Sequence, residues 1–448
     1  MRLKALALPL LAAMTLSAAQ TQKVFPLPYD QFDLPNGLRV ILIPTGYPNV
    51  VSLHIVVQTG SRNEVEPGKS GFAHLFEHMM YRGTKNYPPA KWEEIMKDAG
   101  ASTNAYTSDD LTSYHATFSK EDLETILKVE ADRFQNLEYS PDIFKTETTA
   151  VLGEYNKDSA SPTSKLHEVL RDTIFDKHTY KHTTMGFLAD VKNMPNQFDY
   201  SRQFFDRYYR PEYTTVIIAG DLDSKAAKAL VEKYWSNWKR GSFKTEIPME
   251  PSQTAARKAH VDWPSPTLPW VEVAYRAPAY SDTEKDSAAL DLLGYLGFSS
   301  NSELYQRLVI KDQKVDVLTT DGGSHVDPYL FGVVSRVKKA SDLKDVEEQI
   351  LSTLNGFKDT LVPAGKLDAV KRHLKYRFAL RMNNSEAIAG TVARYVALRR
   401  TPETINRLYD LYDTVTPEDI REAARKYFAE NSRTTVTLTG VTLTGPGK

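Results

Sequence analysis

Residues 214–220 read TTVIIAG, and residues 434–440 read TTVTLTG, a similar stretch 220 positions later. Asp199 and Asp419 keep the same offset, each in a segment predicted to form a helix that leads into the strand. A helix followed by a strand is a common pattern, so the identities count less than the offset, which is close to half of the chain. The repeat predicts two similar halves.

Strand and helix patterns alternate within the first half. Residues 38–43 follow a Pro-Asn-Gly turn, and residues 51–57 alternate in the manner of a strand, so we expect neighbouring antiparallel strands there. Helix start signals stand at Ser119 and at Ser140-Pro141. These patterns predict an α+β fold of two similar domains, each an antiparallel sheet packed with helices.

Length and composition support this division. A chain of 448 residues exceeds what one hydrophobic core usually organises. The Pro-rich and polar stretch at 244–264 suits a linker, so we predict one domain at 20–245 and a second at 260–448. The formal net charge of −1 gives no electrostatic reason to expect a nucleic acid or an anionic membrane as a partner.

The first 19 residues predict export. They have a basic start, a short apolar run and a small-residue exit, which is typical of a signal peptide cleaved after Ala19; an uncleaved anchor is the alternative. No later segment approaches the roughly 20 apolar residues of a membrane helix. We therefore expect a periplasmic or secreted protein. The chain has no cysteine, so a metal would be held by His, Asp or Glu.

The sequence HLFEH at residues 74–78 carries the chemistry. On a helix, His74 and His78 lie one turn apart on one face, with Glu77 beside them. Apolar residues occupy roughly the opposite side: Phe72, Leu75, Phe76, Met79 and Met80. Two histidines and a glutamate in this order are the known signature of the inverted zincins, which hold zinc through the histidines and use the glutamate as general base.

A catalytic zinc commonly has three protein ligands and one open position, so a further ligand is expected. Glu147 and Glu154 are the best candidates, because seven residues place them on one face of the helix that Pro141 opens. Spacing alone does not choose between them.

Further stretches carry a family resemblance: GSRNE at 60–64, MMYRGT at 79–84, NAYT at 104–107 and YRP at 209–211. Together with HLFEH and Glu154, they make the chain similar to the pitrilysin and insulysin family, which includes mitochondrial processing peptidase. The similarity covers nearly the whole mature chain and is closest to the half-length bacterial type. It implies that Glu154 is the third zinc ligand and that Glu147 supports the ligands from behind.

The resemblance implies a zinc metalloendopeptidase, a hydrolase that holds one Zn²⁺ per chain. Glu77 would accept the proton of the attacking water during metal-assisted hydrolysis of a peptide bond. Short or unfolded polypeptides would bind as an added strand along Asn104, Ala105, Tyr106 and Thr107. An ordinary hairpin is an equally good interpretation of that segment.

The second half lacks a zinc motif, and it also lacks two residues that the family provides there. Full-length relatives supply an Arg and a Tyr, seven apart, where this chain has Val309 and Asp316. We therefore expect a heterodimer around a closed chamber, in which this chain bears the zinc and a homologous subunit supplies the Arg and Tyr. A homodimer that uses Arg307 is the alternative.

Other functions remain open at this point. The chain could be a non-catalytic scaffold subunit, which intact ligands argue against, or a zinc hydrolase of a non-peptide bond. The other histidines are expected to be structural or on the surface, with a ligand role for three of them a minor possibility: His167, His178 and His182.

Overall fold

The computed structural model describes residues 23–441, so the predicted signal peptide at 1–19 lies outside the described residues. Within them, no helix combines the length and the apolar character that crossing a bilayer requires. The described chain builds two sheets, one in each half, with helices around them.

The first sheet has six strands in the order β1-β2-β6-β3-β5-β4. The strands are β1 (Asp30–Asp33), β2 (Arg39–Pro44), β3 (Val50–Val57), β4 (Ser102–Thr107), β5 (Thr112–Ser119) and β6 (Thr214–Gly220). The prediction that residues 38–43 and 51–57 are neighbours is wrong, because β6 lies between them, parallel to β2 and antiparallel to β3. All seven residues of β6 are buried, so this apolar strand takes a central position.

The first half of the described chain contains eight helices. They are α1 (Phe72–Met79), α2 (Pro89–Asp98), α3 (Leu123–Asn136), α4 (Pro141–Asp158), α5 (Pro162–Ile174), α6 (Leu188–Asn193), α7 (Phe198–Tyr208) and α8 (Ser224–Trp235). Side-chain caps begin two of them: Ser140 accepts a hydrogen bond from the N–H of Ile143 (3.3 Å), and Asp223 one from Ala226 (2.7 Å).

The second sheet has five strands in the order β7-β11-β8-β10-β9, which repeats the order β2-β6-β3-β5-β4 of the first sheet without a counterpart of β1 in the described chain. Its strands are β7 (Arg257–Trp263), β8 (Trp270–Arg276), β9 (Val315–Asp321), β10 (Leu330–Val337) and β11 (Arg433–Gly440). The helices are α9 (Lys285–Phe298), α10 (Glu303–Tyr305), α11 (Leu343–Asp359), α12 (Ala364–Arg381), α13 (Ser385–Arg399), α14 (Glu403–Thr414) and α15 (Pro417–Tyr427). The predicted α+β fold of two similar halves is confirmed, and in each sheet one neighbouring pair, β2–β6 or β7–β11, runs parallel.

No helix or strand occupies the chain between Trp235 and Arg257. The predicted linker at 244–264 overlaps this stretch but also includes β7 and its turn. The domain limits at 20–245 and 260–448 stay a prediction.

The two halves exchange a helix. On α5, in the first half, Leu166 and Leu170 pack in one apolar cluster with Val261 and Ala274 of the second sheet. In return, Ile388 and Val392 of α13 share a cluster with Val56 and Ile217 of the first sheet. These two helices occupy matching places in the repeat, so each sheet is covered on one face by a helix from the other half.

Candidate metal centre

Helix α1 is held at both ends. Its N-cap, Gly71, has a left-handed φ of 91°, and Gly83 ends the following 3-10 turn with a φ of 82°. The buried Glu64 carboxylate accepts hydrogen bonds from the N–H groups of Gly71 and Ala73, both at 2.7 Å. Burial raises the pKa of Glu64 to about 8, although these two amides favour the carboxylate. Glu64 therefore fixes the start of the helix that carries HLFEH.

The apolar side of α1 anchors it in the first domain. The Phe76 ring stacks on Phe204 of α7, with centroids 5.2 Å apart, and also lies against Tyr209. The five apolar residues predicted to face the core are all buried: Phe72, Leu75, Phe76, Met79 and Met80. This packing leaves the histidine side of the helix turned toward α4.

His74, His78 and Glu154 come together between α1 and α4. The Glu154 Oε2 atom lies 3.3 Å from His74 Nε2 and 3.5 Å from His78 Nε2. The two imidazole rings are nearly perpendicular, with centroids 5.0 Å apart. One donor atom of each residue lies within 4.8 Å of the other two. His74 is buried, His78 is half-buried and Glu154 is exposed, so the cluster is reached from solvent on the Glu154 side.

Glu147 lies behind this cluster, about two turns before Glu154 on the same face of α4. Its buried carboxylate places Oε2 3.7 Å from His78 Nδ1 and accepts an ion-pair contact from Arg82 Nε at 2.9 Å. Glu147 raises the pKa of His78, against burial and together with Glu154. Burial, with the neighbouring His78, lowers the pKa of His74 to about 4. The two imidazoles thus have different environments. Arg82, four residues after His78, was not predicted from the sequence.

Glu77 lies between the cluster and the end of β4. Its Oε2 accepts a hydrogen bond of 2.7 Å from the Thr107 hydroxyl. Burial raises the pKa of Glu77, while the bond from Thr107 opposes the rise. The glutamate is therefore held in place by the segment that was predicted to bind substrate.

The stretch Asn104–Thr107 forms most of β4, so the hairpin interpretation is confirmed, and substrate binding along this stretch stays a prediction. It is one arm of a hairpin, paired antiparallel with β5. It is also the edge strand of the first sheet, since within the described chain β4 pairs only with β5. Its outer edge has the geometry to accept a further strand.

Val309 and Asp316, which stand where full-length relatives have Arg and Tyr, do not lie near the histidine cluster. Val309 lies in a π-helical turn at Gln306–Lys311, and Asp316 on β9 binds Arg336 through both oxygens, at 2.8 and 2.9 Å. Arg307 donates to Gln349 at 2.8 Å and lines a cavity of about 1050 Å³ in the second half. No contact in the described chain joins these residues to the histidine cluster.

Comparison with known proteins agrees with this architecture. A zinc protease, PqqE, of Helicobacter pylori is 28% identical over 430 residues, which cover 95% of this chain and 96% of that protein. A crystal structure of a protease from Helicobacter pylori superposes with a TM-score of 0.85 at 28% identity, over 92% of this chain and 99% of the other.

The periplasmic protease PqqL of Escherichia coli shares the fold in its crystal structure, with a TM-score of 0.76 at 20% identity. The match covers 92% of this chain and 48% of PqqL, so this chain spans about half of that protein. Residues 39–187 match the insulinase family, peptidase family M16, and residues 197–374 match the peptidase M16 inactive domain. The chain therefore belongs to peptidase family M16, the insulinase family, whose relatives include named zinc proteases.

Proposed function

We propose that this protein is a zinc-dependent endopeptidase that hydrolyses short or unfolded polypeptides. The observation that carries the proposal is the convergence of His74, His78 and Glu154 with Glu77 beside them. Two imidazole nitrogens and one carboxylate oxygen are a common donor set for catalytic zinc.

The residues fit one zinc ion at this centre. Glu154 Oε2 lies within 3.5 Å of Nε2 of both histidines, and the buried Nδ1 of His74 has no hydrogen-bond partner within the described chain. His74, His78 and Glu154 would hold the metal, with Glu147 orienting His78 from its other nitrogen. When bound, zinc supplies Lewis acidity toward the scissile carbonyl and the attacking water.

Glu77 is the proposed general base. The hydrogen bond from Thr107 fixes one carboxylate oxygen and leaves the other free to take a proton. Partial burial raises the pKa of Glu77, which makes its carboxylate a better proton acceptor. The proton then passes to the leaving amine.

A substrate in extended form would pair with the free edge of β4, from Asn104 to Thr107. Backbone hydrogen bonds would supply most of the affinity, which suits substrates of varied sequence. Because Thr107 ends this strand and touches Glu77, a peptide paired along β4 would be led to the base.

We further propose that a homologous subunit completes the site, as a heterodimer that encloses a chamber. Two observations support this. The chain spans about half of PqqL. The position where the family resemblance expects a tyrosine holds Asp316, which accepts a hydrogen bond from Arg336. A homodimer using Arg307 is the second arrangement. Export to the periplasm is proposed from the first 19 residues and from PqqL, which is described as periplasmic.

The test compares Glu77→Gln with the wild type and with Glu93→Gln, a control at an exposed glutamate of α2. Quenched fluorescent peptides report turnover, and metal analysis reports zinc. We expect Glu77→Gln to lose about 10²–10⁴-fold in kcat/KM while its zinc content stays at the wild-type level. Wild-type activity in the Glu77→Gln variant would refute the proposed role of Glu77 as general base. Absence of zinc from the wild type would favour a non-catalytic scaffold subunit instead.

The partner is tested separately by co-purification from the source organism. Full activity of the isolated chain at all concentrations would exclude an obligatory heterodimer. Activity that rises with the square of the concentration of the isolated chain would support the homodimer.

A further inference from the structure

A second group of metal-ligand side chains lies where α5 packs on the second sheet. His167 comes from α5, Glu272 from β8 and Asp321 from the end of β9. One donor atom of each residue lies within 4.8 Å of the other two, and His167 Nδ1 is 3.2 Å from Asp321 Oδ2. The three side chains are far apart in sequence and meet only because the first half contributes α5 to the second sheet.

Glu272 is the feature that calls for an explanation. Glu272 is 2% exposed, and its Oε1 accepts no hydrogen bond within the described chain. A buried carboxylate with an unpaired oxygen costs free energy unless a cation or a proton compensates it. The oxygen also has room, since β10 passes it at Gly332, where a Cβ atom would lie 3.0 Å from Oε1.

Asp321 adds a second negative charge beside Glu272. The N–H of Gly322 donates to Asp321 Oδ1 at 2.8 Å, so this carboxylate is held in position. Two adjacent carboxylates of this kind are stable only when a cation or a proton is shared between them.

We propose that His167, Glu272 and Asp321 form a second metal site, which binds a divalent first-row transition ion such as Zn²⁺. One imidazole and two carboxylates are typical ligands for such an ion, and water completes the coordination. The side chains of His167 and Asp321 are 32% and 37% exposed, which gives the ion a path from solvent. The site shares no ligand with the centre at His74.

The position of the site gives it a structural role. Helix α4 carries Glu147 and Glu154 and ends at Asp158, and α5 begins four residues later at Pro162. An ion bound to His167, Glu272 and Asp321 would join α5 to two strands of the other half. It would thereby hold the second sheet against the segment that follows the first metal centre.

The experiment measures zinc per chain in the purified full chain after equilibration with Zn²⁺ and removal of loosely bound ion. We expect two zinc ions in the wild type, one in the Glu272→Gln/Asp321→Asn variant and one in the His74→Ala/His78→Ala variant. Asp316→Asn, a carboxylate on the same strand β9 that pairs with Arg336, is the matched control and should keep two.

Because the double carboxylate variant replaces a buried group, a milder variant guards against misfolding. His167→Ala changes a partly exposed position on α5, and we expect it to weaken zinc binding at the second site at least tenfold while the circular dichroism spectrum stays unchanged. A zinc anomalous peak between Glu272 and Asp321 in a crystal would locate the ion directly.

One zinc in the wild type, lost with His74→Ala/His78→Ala and kept with Glu272→Gln/Asp321→Asn, would overturn the proposal. Glu272 and Asp321 would then share a proton instead of a metal. The readout is metal content, so this result is independent of whether the chain hydrolyses peptides.

Discussion

The stacked histidines between the two halves make the stability of the protein sensitive to acid. His54 on β3 lies opposite His115 on β5, with ring centroids 4.9 Å apart and planes 9° from parallel. Gly390 of helix α13 lies against His54, where an added Cβ atom would be 3.5 Å from Cε1 of the ring. Burial lowers the pKa of His115, and the charge of Glu386 on the same helix opposes this change. Neither nitrogen of His54 has a hydrogen-bond partner in the described chain. The imidazole is therefore buried in its neutral form.

The size of the effect follows from the pKa of His54. Burial, with a smaller contribution from His115, lowers this pKa from 6.5 to about 3. At pH values between these two, the unfolded chain binds a proton at His54 and the folded chain does not, so stability falls as the pH falls. Each pH unit below 6.5 costs about 1.4 kcal/mol. Between pH 7 and pH 5 the loss is about 2 kcal/mol.

The perturbation is His54→Phe, which keeps an aromatic ring against His115 and sacrifices no hydrogen bond. Urea unfolding at pH 7, 6 and 5 gives the free energy of unfolding of the wild type and the variant. We expect the difference between them to shift by about 2 kcal/mol in favour of the variant as the pH drops from 7 to 5. His260→Gln, at a solvent-exposed histidine of β7, is the control. Parallel pH profiles for the wild type and His54→Phe would refute the reasoning.

Three further changes test other parts of the structure. Asp109→Asn leaves the buried guanidinium of Arg171, now bonded to Asp109 at 2.7 and 3.2 Å, without its counter-charge, so urea unfolding should show a loss of about 3–5 kcal/mol; an unchanged midpoint would contradict this. Gly60→Ala would place a Cβ 2.1 Å from the carbonyl oxygen of Ser108, and we expect a loss of about 1–3 kcal/mol in the same assay. Glu154→Gln should weaken zinc binding by more than the roughly 10–100-fold that loss of a supporting residue costs, measured by dialysis against a chelator; wild-type retention of zinc would remove Glu154 from the ligand set.

Much of the geometry of the candidate metal centre was predictable because its sequence pattern is local, whereas the roles of its residues stay a prediction. HLFEH places His74 and His78 on one helical face within five residues, and helical periodicity then separates them from the core residues. The choice of Glu154 over Glu147 came from resemblance, since both lie on one face of α4. In the structure they differ in surroundings: Glu147 is buried against Arg82, whereas Glu154 is exposed.

The order of the strands was not predictable from local patterns. Residues 38–43 and 51–57 are both apolar and close in sequence, which favoured direct pairing. The strand that separates them, β6, comes more than 150 residues later, and local patterns carry no information about pairing over that distance. The proposed second metal site was not predictable either, because His167, Glu272 and Asp321 have no spacing that forms a sequence motif.

The exchange of α5 and α13 also constrains how the chain acquires its structure. During synthesis from the N-terminus, all six strands of the first sheet are present once β6 has been made. The face of the sheet that α13 covers stays exposed until α13 has also been made. Contacts of such long sequence separation form slowly and leave apolar surface exposed in the meantime. We therefore expect a fragment that stops after the first half to expose apolar surface and to aggregate. Each half thus relies on the other to cover one face of its sheet, so we expect neither half to fold stably alone.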